Sequence, residues 1–183
     1  MSTSKESLIL PKLLSSEIVH DDFVKIRRDS LRFSDHEPYS YYVMQMKAPA
    51  VIILGTTKEG LFVLNEEYRH PTNQVLLGCP GGFLEENEDP LQGAQREFLE
   101  ESGYTAARFS VVGKAFPYPG ISEQLAYFVT AEEAVKIQEP VLDRSEVIRT
   151  VLLNKQELTA KIKLGVALDG ILCSALFFFE ISR

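Results

Sequence analysis

Glu97, Glu100 and Glu101 fall within one helical turn of the stretch Pro80–Tyr104, PGGFLEENEDPLQGAQREFLEESGY. Carboxylates gathered this way are the hard oxygen ligands that a divalent cation such as Mg²⁺ takes. At about 100° per residue they cover an arc of roughly 100°, with Glu97 and Glu101 stacked at i, i+4. Between Asp89 and Gly103 there is no lysine, and Arg96 is the only base. Like charges at the negative end of a helix dipole repel by about 0.2–0.5 kcal/mol per contact, which a bound cation relieves. Glu97 and Glu101 border the expected buried face and could hold such an ion, with a backbone carbonyl from the glycine turn completing the shell. Glu100 points further out. Three glutamates alone would more readily suit a solvated acidic helix face, so the residues around them have to decide.

The helix that must position these groups is well specified. Asp89 is a natural N-cap, Pro90 takes the first helical position, and Gln92 completes a D-x-x-Q start. Gly103 supplies a left-handed stop, and Leu91, Ala94 and Phe98 form the buried face. Elsewhere the pattern predicts a loosely held lead-in over residues 1–20, where Pro11 disfavours a long helix, then a strand or two from Asp22 to Phe33. Asp35–Pro38 is a turn, Tyr41–Met46 alternates as a strand, and Ala50–Leu54 is an apolar strand ending in a Gly55 turn. Lys58–Gly60 closes a hairpin into Leu61–Leu64, and Val75–Leu77 leads into the central glycine turn. Beyond the acidic helix, Phe109–Lys114 and Leu125–Thr130 are strands flanking the loop Pro117–Glu123, and Glu146–Leu153 is a last strand. Asn154 caps a short helix with Glu157 at the capping-box position, and a final helix runs from about Leu168 to Ile181. This mixture predicts an α/β sandwich with a mixed sheet and no linker-like division.

With 183 residues the chain suits one domain with a substantial core, and its net charge of −7 disfavours a general nucleic-acid binder, which needs a basic face. Cys79 and Cys173 form no ligand or redox pattern and read as free thiols of a reducing compartment. MSTSKESLILPKLLSSE lacks the apolar core of a signal peptide, and Ile171–Phe179 is too short to span a bilayer. The expectation is a cytoplasmic enzyme with no membrane partner.

The spacing around the glutamates settles the first question. Gly82, Glu88, Arg96, Glu97, Glu100, Glu101 and Gly103 reproduce the signature of the Nudix hydrolases, a chance match of which is on the order of one in a million in such a chain. The resemblance implies a Nudix-type α/β/α sandwich with a mixed sheet, and hydrolysis of a nucleoside diphosphate linked to another moiety with Mg²⁺ or Mn²⁺. Carried over, Glu97 and Glu101 are the principal metal ligands, Glu100 assists, and the Gly81 carbonyl is the backbone ligand. Glu88 and Arg96 become an ion pair that orients the glutamates. Phe98 and Tyr104 fill positions usually aliphatic. Asn87 stands where many relatives have Gly, and Asn tolerates the left-handed conformation.

The flanks resemble the ADP-ribose and nucleoside diphosphate sugar pyrophosphatases. Tyr68-Arg69-His70-Pro71 matches that branch's aromatic-Arg-x-Pro segment and implies that Arg69 holds a substrate phosphate. Pro119-Gly120-Ile121-Ser122-Glu123 matches the loop whose glutamate activates the attacking water, which makes Glu123 the general-base candidate. Phe83 is implied to touch the nucleoside. Tyr39, Tyr41 and Tyr42 suit either base stacking or the alternating aromatics of a hairpin, and His20, His36 and His70 show no ligand spacing. The division implied is an N-terminal antiparallel β segment over 1–46, whose Asp22–Met46 stretch is the contact of a homodimer, and a Nudix domain over 47–183. The alternatives are another Nudix substrate (a dinucleotide cofactor, coenzyme A or a damaged nucleotide) and a non-catalytic nucleotide-metabolite sensor.

Overall fold

A computed structural model describes residues 8–22 and 24–183. Two compact units emerge, one formed by the described residues up to 47 with 118–124, the other by 48–117 with 125–183.

The first unit is a three-stranded antiparallel sheet of β1 (Lys12–Asp21), β2 (Lys25–Arg32) and β3 (Tyr39–Gln45), in that order. The expected lead-in is therefore corrected over its described part: β1 pairs antiparallel with β2 along its length, with register shifts between Leu13 and Ser15 and between Ile18 and His20. KLLSSEIVHD escapes recognition because it lacks alternation, and every one of its residues is exposed. Its partner strand, not burial of one face, specifies it. Residues 1–7 and Phe23 of the expected segments lie outside the described residues.

The second unit is an α/β/α sandwich. Its sheet joins β4 (Ala50–Thr57), β5 (Phe62–Arg69), β6 (Gln74–Gly78), β7 (Gly81–Phe83), β8 (Tyr104–Thr105), β9 (Arg108–Ala115), β10 (Ala126–Lys136) and β11 (Ile148–Leu153); α1 (Pro90–Ser102) lies between β7 and β8 in the chain, and α2 (Lys155–Lys163) and α3 (Gly170–Ile181) follow β11. The strand path runs β11-β5-β4-β10-β8, with β6 on β5, β7 on β4 and β9 on β10. The sheet is mixed because β4 and β10 pair in parallel while the other pairs are antiparallel.

Period-two alternation divides the core between the sheet's faces. Val51, Ile53, Val63 and Val129 pack under Phe98 and Ala94 of α1. On the other side, Ile52, Leu54, Leu64 and Phe128 pack with Leu158 of α2 and Leu172 and Phe179 of α3.

Gly55 is corrected from a turn to strand interior. A Cβ there would stand 2.4 Å from the Phe98 ring, so this glycine accommodates the bulky residue that replaces the usual aliphatic in the helix. β10 outruns the expected Leu125–Thr130 because a bulge between Glu132 and Ala134, with Glu133 at φ 55°, carries pairing on to Lys136. Among the described residues no helix is long and apolar enough to cross a membrane.

Candidate active site

The local signals that set α1 act as their chemistry requires. Asp89 Oδ1 accepts from the Leu91 N–H at 2.9 Å, and Gly103 stops the helix at φ 75° with its N–H on the Leu99 carbonyl. Asn87, at φ 62°, makes the left-handed turn ahead of it. These caps fix the rotation of α1, which places Phe98 in the core and Glu97 and Glu101 against the glycine turn.

Arg96 gathers the acids. Its Nε and Nη2 each donate to Glu88 at 2.9 Å, Nη1 donates to Glu97 at 2.7 Å and to Glu100 at 3.2 Å, and Nη2 also reaches the Phe83 carbonyl at 3.1 Å. Against that guanidinium, Glu88 is held below the usual carboxylate range. Hydrogen bonding to Glu88, ahead of that to Glu97, makes Arg96 a still weaker acid than an ordinary arginine. Its planar fork spans positions that no ammonium group could join at once.

Glu101 is buried, with 7% of its surface exposed. Its Oε2 accepts from the Gly81 N–H at 2.9 Å and from Asn65 Nδ2 at 3.0 Å. Burial pushes its carboxyl up to about 8; the Gly81 N–H opposes that rise, and the charges of Glu97, Glu67 and Glu146 add to it. Burial likewise raises Glu97, with Arg96 opposing, and raises Glu67, with Arg69 opposing and Asp169 and Glu146 adding.

Arg69 lies at the end of β5, paired with Glu67 at 2.6 Å and with Asp169, the α3 N-cap, at 3.5 Å. Glu123 belongs to the first unit, where Arg27 Nη1 donates to it at 3.2 Å and Gln45 Nε2 at 3.3 Å. Tyr41 in that unit donates its hydroxyl to the Gly120 carbonyl at 2.7 Å and meets the Tyr39 ring edge-on. Gly81, Phe83, Glu88, Arg96, Glu97, Glu100 and Glu101 are thus brought together around α1, while Glu123 is engaged with Arg27 and Gln45.

Among the described residues no three His, Cys, Asp or Glu side chains converge as a ready-made metal cluster. Arg96 draws Glu97 and Glu100 toward itself, and Glu101 faces Gly81 and Asn65. The donor set nonetheless fits a hard divalent ion. It consists of oxygen atoms, Glu101 is buried and Glu97 half-buried, and the charge of Glu100 raises the proton affinity of Glu97 as that of Glu97 raises Glu101.

Three contributors escape the sequence reading: Asn65, Glu67 and Glu146. Asn65 and Glu67 carried a usable signal, since both share the Arg69 face of β5 at period two. Glu146 precedes its strand in an irregular stretch and carried none.

The close approach of Gly82 to Glu97 gives a direct test. A Cβ on Gly82 would lie 2.5–2.6 Å from the Glu97 carboxylate. Because the obstructing atoms are the tip of a flexible side chain, Gly82→Ala is expected to displace the Glu97 carboxylate, and any activity that depends on this carboxylate should fall by roughly 10–100-fold, as displaced site geometry does. The unfolding midpoint should stay within a few degrees of wild type by calorimetry.

Comparison with known proteins bears on what this arrangement does. The NUDIX domain model matches residues 44–171. ADP-ribose pyrophosphatase of Bacillus subtilis (strain 168) is 31% identical over 103 residues, 56% of each chain. GDP-mannose pyrophosphatase of Yersinia pestis (strain Pestoides F) is 33% identical over 129 residues, 66% of this chain and 65% of that protein. The chain thus spans between 56% and 65% of the length of these two curated relatives. A solved structure described as an ADP compounds hydrolase superposes with a TM-score of 0.83 over 96% of this chain and 95% of its own, at 22% identity, which speaks for the fold. Since the domain match covers well over half of the sequence and falls on the helix that carries the acid cluster, the chain belongs to the NUDIX domain family.

Proposed function

We propose that the chain is a Mg²⁺- or Mn²⁺-dependent pyrophosphohydrolase. It cleaves the diphosphate of ADP-ribose, or of another nucleoside diphosphate sugar, to a nucleoside monophosphate and a sugar phosphate. The observation that carries this reading is half-buried Glu97, held by the Glu88-paired Arg96, on the same helix as buried Glu101. The names of the pyrophosphatase relatives support the substrate class.

Glu97 and Glu101 would hold the cation, with Glu100 and the Gly81 carbonyl assisting. When bound, a divalent cation neutralises the diphosphate and makes nearby water a better nucleophile. Arg96, tied to Glu88, keeps the Glu97 carboxylate in place while substrate enters. Glu123 takes the proton from the attacking water, whose oxygen joins one phosphorus as the bridging P–O bond breaks. Phe83 meets the nucleoside. Arg69 exchanges its carboxylate partners for a substrate phosphate, a contact for which a fixed charged fork is suited.

Loss of a charge-assisted contact of that kind costs about 1.5–3 kcal/mol. Arg69→Ala is therefore expected to raise KM roughly 10–100-fold with a much smaller change in kcat. The exposed apolar residues Leu13, Leu14, Ile18 and Val19 on β1 support a homodimer through the N-terminal segment, and we place the enzyme in the cytoplasm.

The test of the reaction is a product panel over ADP-ribose, GDP-mannose, UDP-sugars and NADH with mass-resolved products. AMP with ribose 5-phosphate, or the matching pair from another sugar nucleotide, is the expected result. Products from NADH alone would move the reading to dinucleotide cofactors. Binding of a nucleotide sugar with no turnover over several metals would make the chain a sensor.

A further inference from the structure

The face of β5 turned toward α1 carries Val63, Asn65, Glu67 and Arg69 at period two. Val63 joins the apolar cluster beneath α1, and the next position on that face would suit another aliphatic. Instead it holds Asn65, which is 0% exposed. Across the sheet it is paired with Gly78 of β6 on one side and Thr150 of β11 on the other.

Asn65 Nδ2 donates to Glu101 Oε2 at 3.0 Å, while its own Oδ1 is the one buried side-chain polar atom among the described residues without a hydrogen-bond partner. A buried amide with half its capacity unused is unfavourable as core packing, so its reason lies in the contact it does make. The Gly81 N–H falls on that same Oε2, at 2.9 Å, so both donors to this carboxylate hold one oxygen. That leaves Oε1 as the oxygen to be presented elsewhere.

We infer that Asn65 is a positioning residue for the cation site: with Gly81 it pins Oε2 of Glu101, so that Oε1 is the oxygen offered to a divalent ion. This rests on the reading of Glu97 and Glu101 as cation ligands. A partner that orients a metal-binding carboxylate in this way is commonly worth 10–100-fold in metal affinity.

Asn65→Leu, close to Asn in shape and free of the orphaned oxygen, separates orientation from packing. Mn²⁺ affinity, measured from free Mn²⁺ by electron paramagnetic resonance, should weaken roughly 10–100-fold. The unfolding midpoint of the metal-free protein should equal or exceed wild type, and KM for ADP-ribose at saturating Mn²⁺ should stay within about threefold. Should that variant not fold, Asn65→Val, smaller and suited to a strand, takes its place with the same expectation. A lowered midpoint with wild-type Mn²⁺ affinity would make Asn65 a packing residue and overturn the inference. With Glu101→Gln measured alongside, the two claims separate. If that variant loses Mn²⁺ binding while Asn65→Leu keeps it, the inference about Asn65 alone fails. If Glu101→Gln binds Mn²⁺ as tightly as wild type, the ligand reading fails and the inference with it.

Discussion

Glu101→Gln should abolish hydrolysis while leaving a folded and, at alkaline pH, more stable protein. The amide keeps the shape of the side chain but can no longer supply charge to a cation. The loss expected is at least roughly a thousandfold in kcat, beyond the 10–100-fold of residues that only orient a ligand. The stability side follows from burial. The Glu101 carboxyl rises from 4.5 to about 8 on folding, so the folded state binds the proton more tightly than the unfolded one. Stability from this group is fully present below about pH 4.5 and is lost as pH rises through about 8, by a few kcal/mol in all. Denaturant unfolding of the metal-free protein at pH 5.5 and 8.5 should therefore show the wild type weakening with pH. In Glu101→Gln that contribution to the slope should vanish. Saturating Mg²⁺ should restore the wild type at pH 8.5 and do much less for the variant, because only the wild type offers the buried charge a partner.

Arg96→Leu is expected to act mainly on the fold around the site. It deletes the donors that serve Glu88, Glu97, Glu100 and the Phe83 carbonyl. Removing one partner of a buried pair strands the others; with 25% of the Arg96 side chain exposed, water recovers part of that cost. A loss of about 2–3 kcal/mol follows, which for a chain of this size lowers the thermal midpoint by roughly 5–10 °C. Activity should fall as well, since Glu97 loses the contact that fixes its carboxylate. Arg96→Lys should recover little of either, because a point charge cannot span three carboxylates and a carbonyl.

What was legible in the sequence is what local chemistry dictates. Asp89, Pro90 and Gly103 bound the helix that forms, and Asn154 with Glu157 makes the capping box that opens α2. The seven signature residues identified the family. Long-range packing was not legible. Gly55 reads as a turn until Phe98 is seen against it. β1 reads as a lead-in because its pairing with β2 leaves no periodic trace in its own residues. Asn65 hides in LFVLNEEY as one polar residue at the end of an apolar run. Only its position beneath Glu101 gives it meaning. Family resemblance supplies the roles of Arg69 and Glu123, whose partners here are Glu67 and Asp169, and Arg27 and Gln45.

The most direct test of the account is release of AMP from ADP-ribose by wild type and Glu101→Gln, followed side by side with Mg²⁺, with Mn²⁺ and with chelator. The account predicts release by wild type in either metal, none in chelator, and at least roughly a thousandfold less from the variant. Equal turnover by the two proteins, or turnover by wild type that survives chelation, would contradict it.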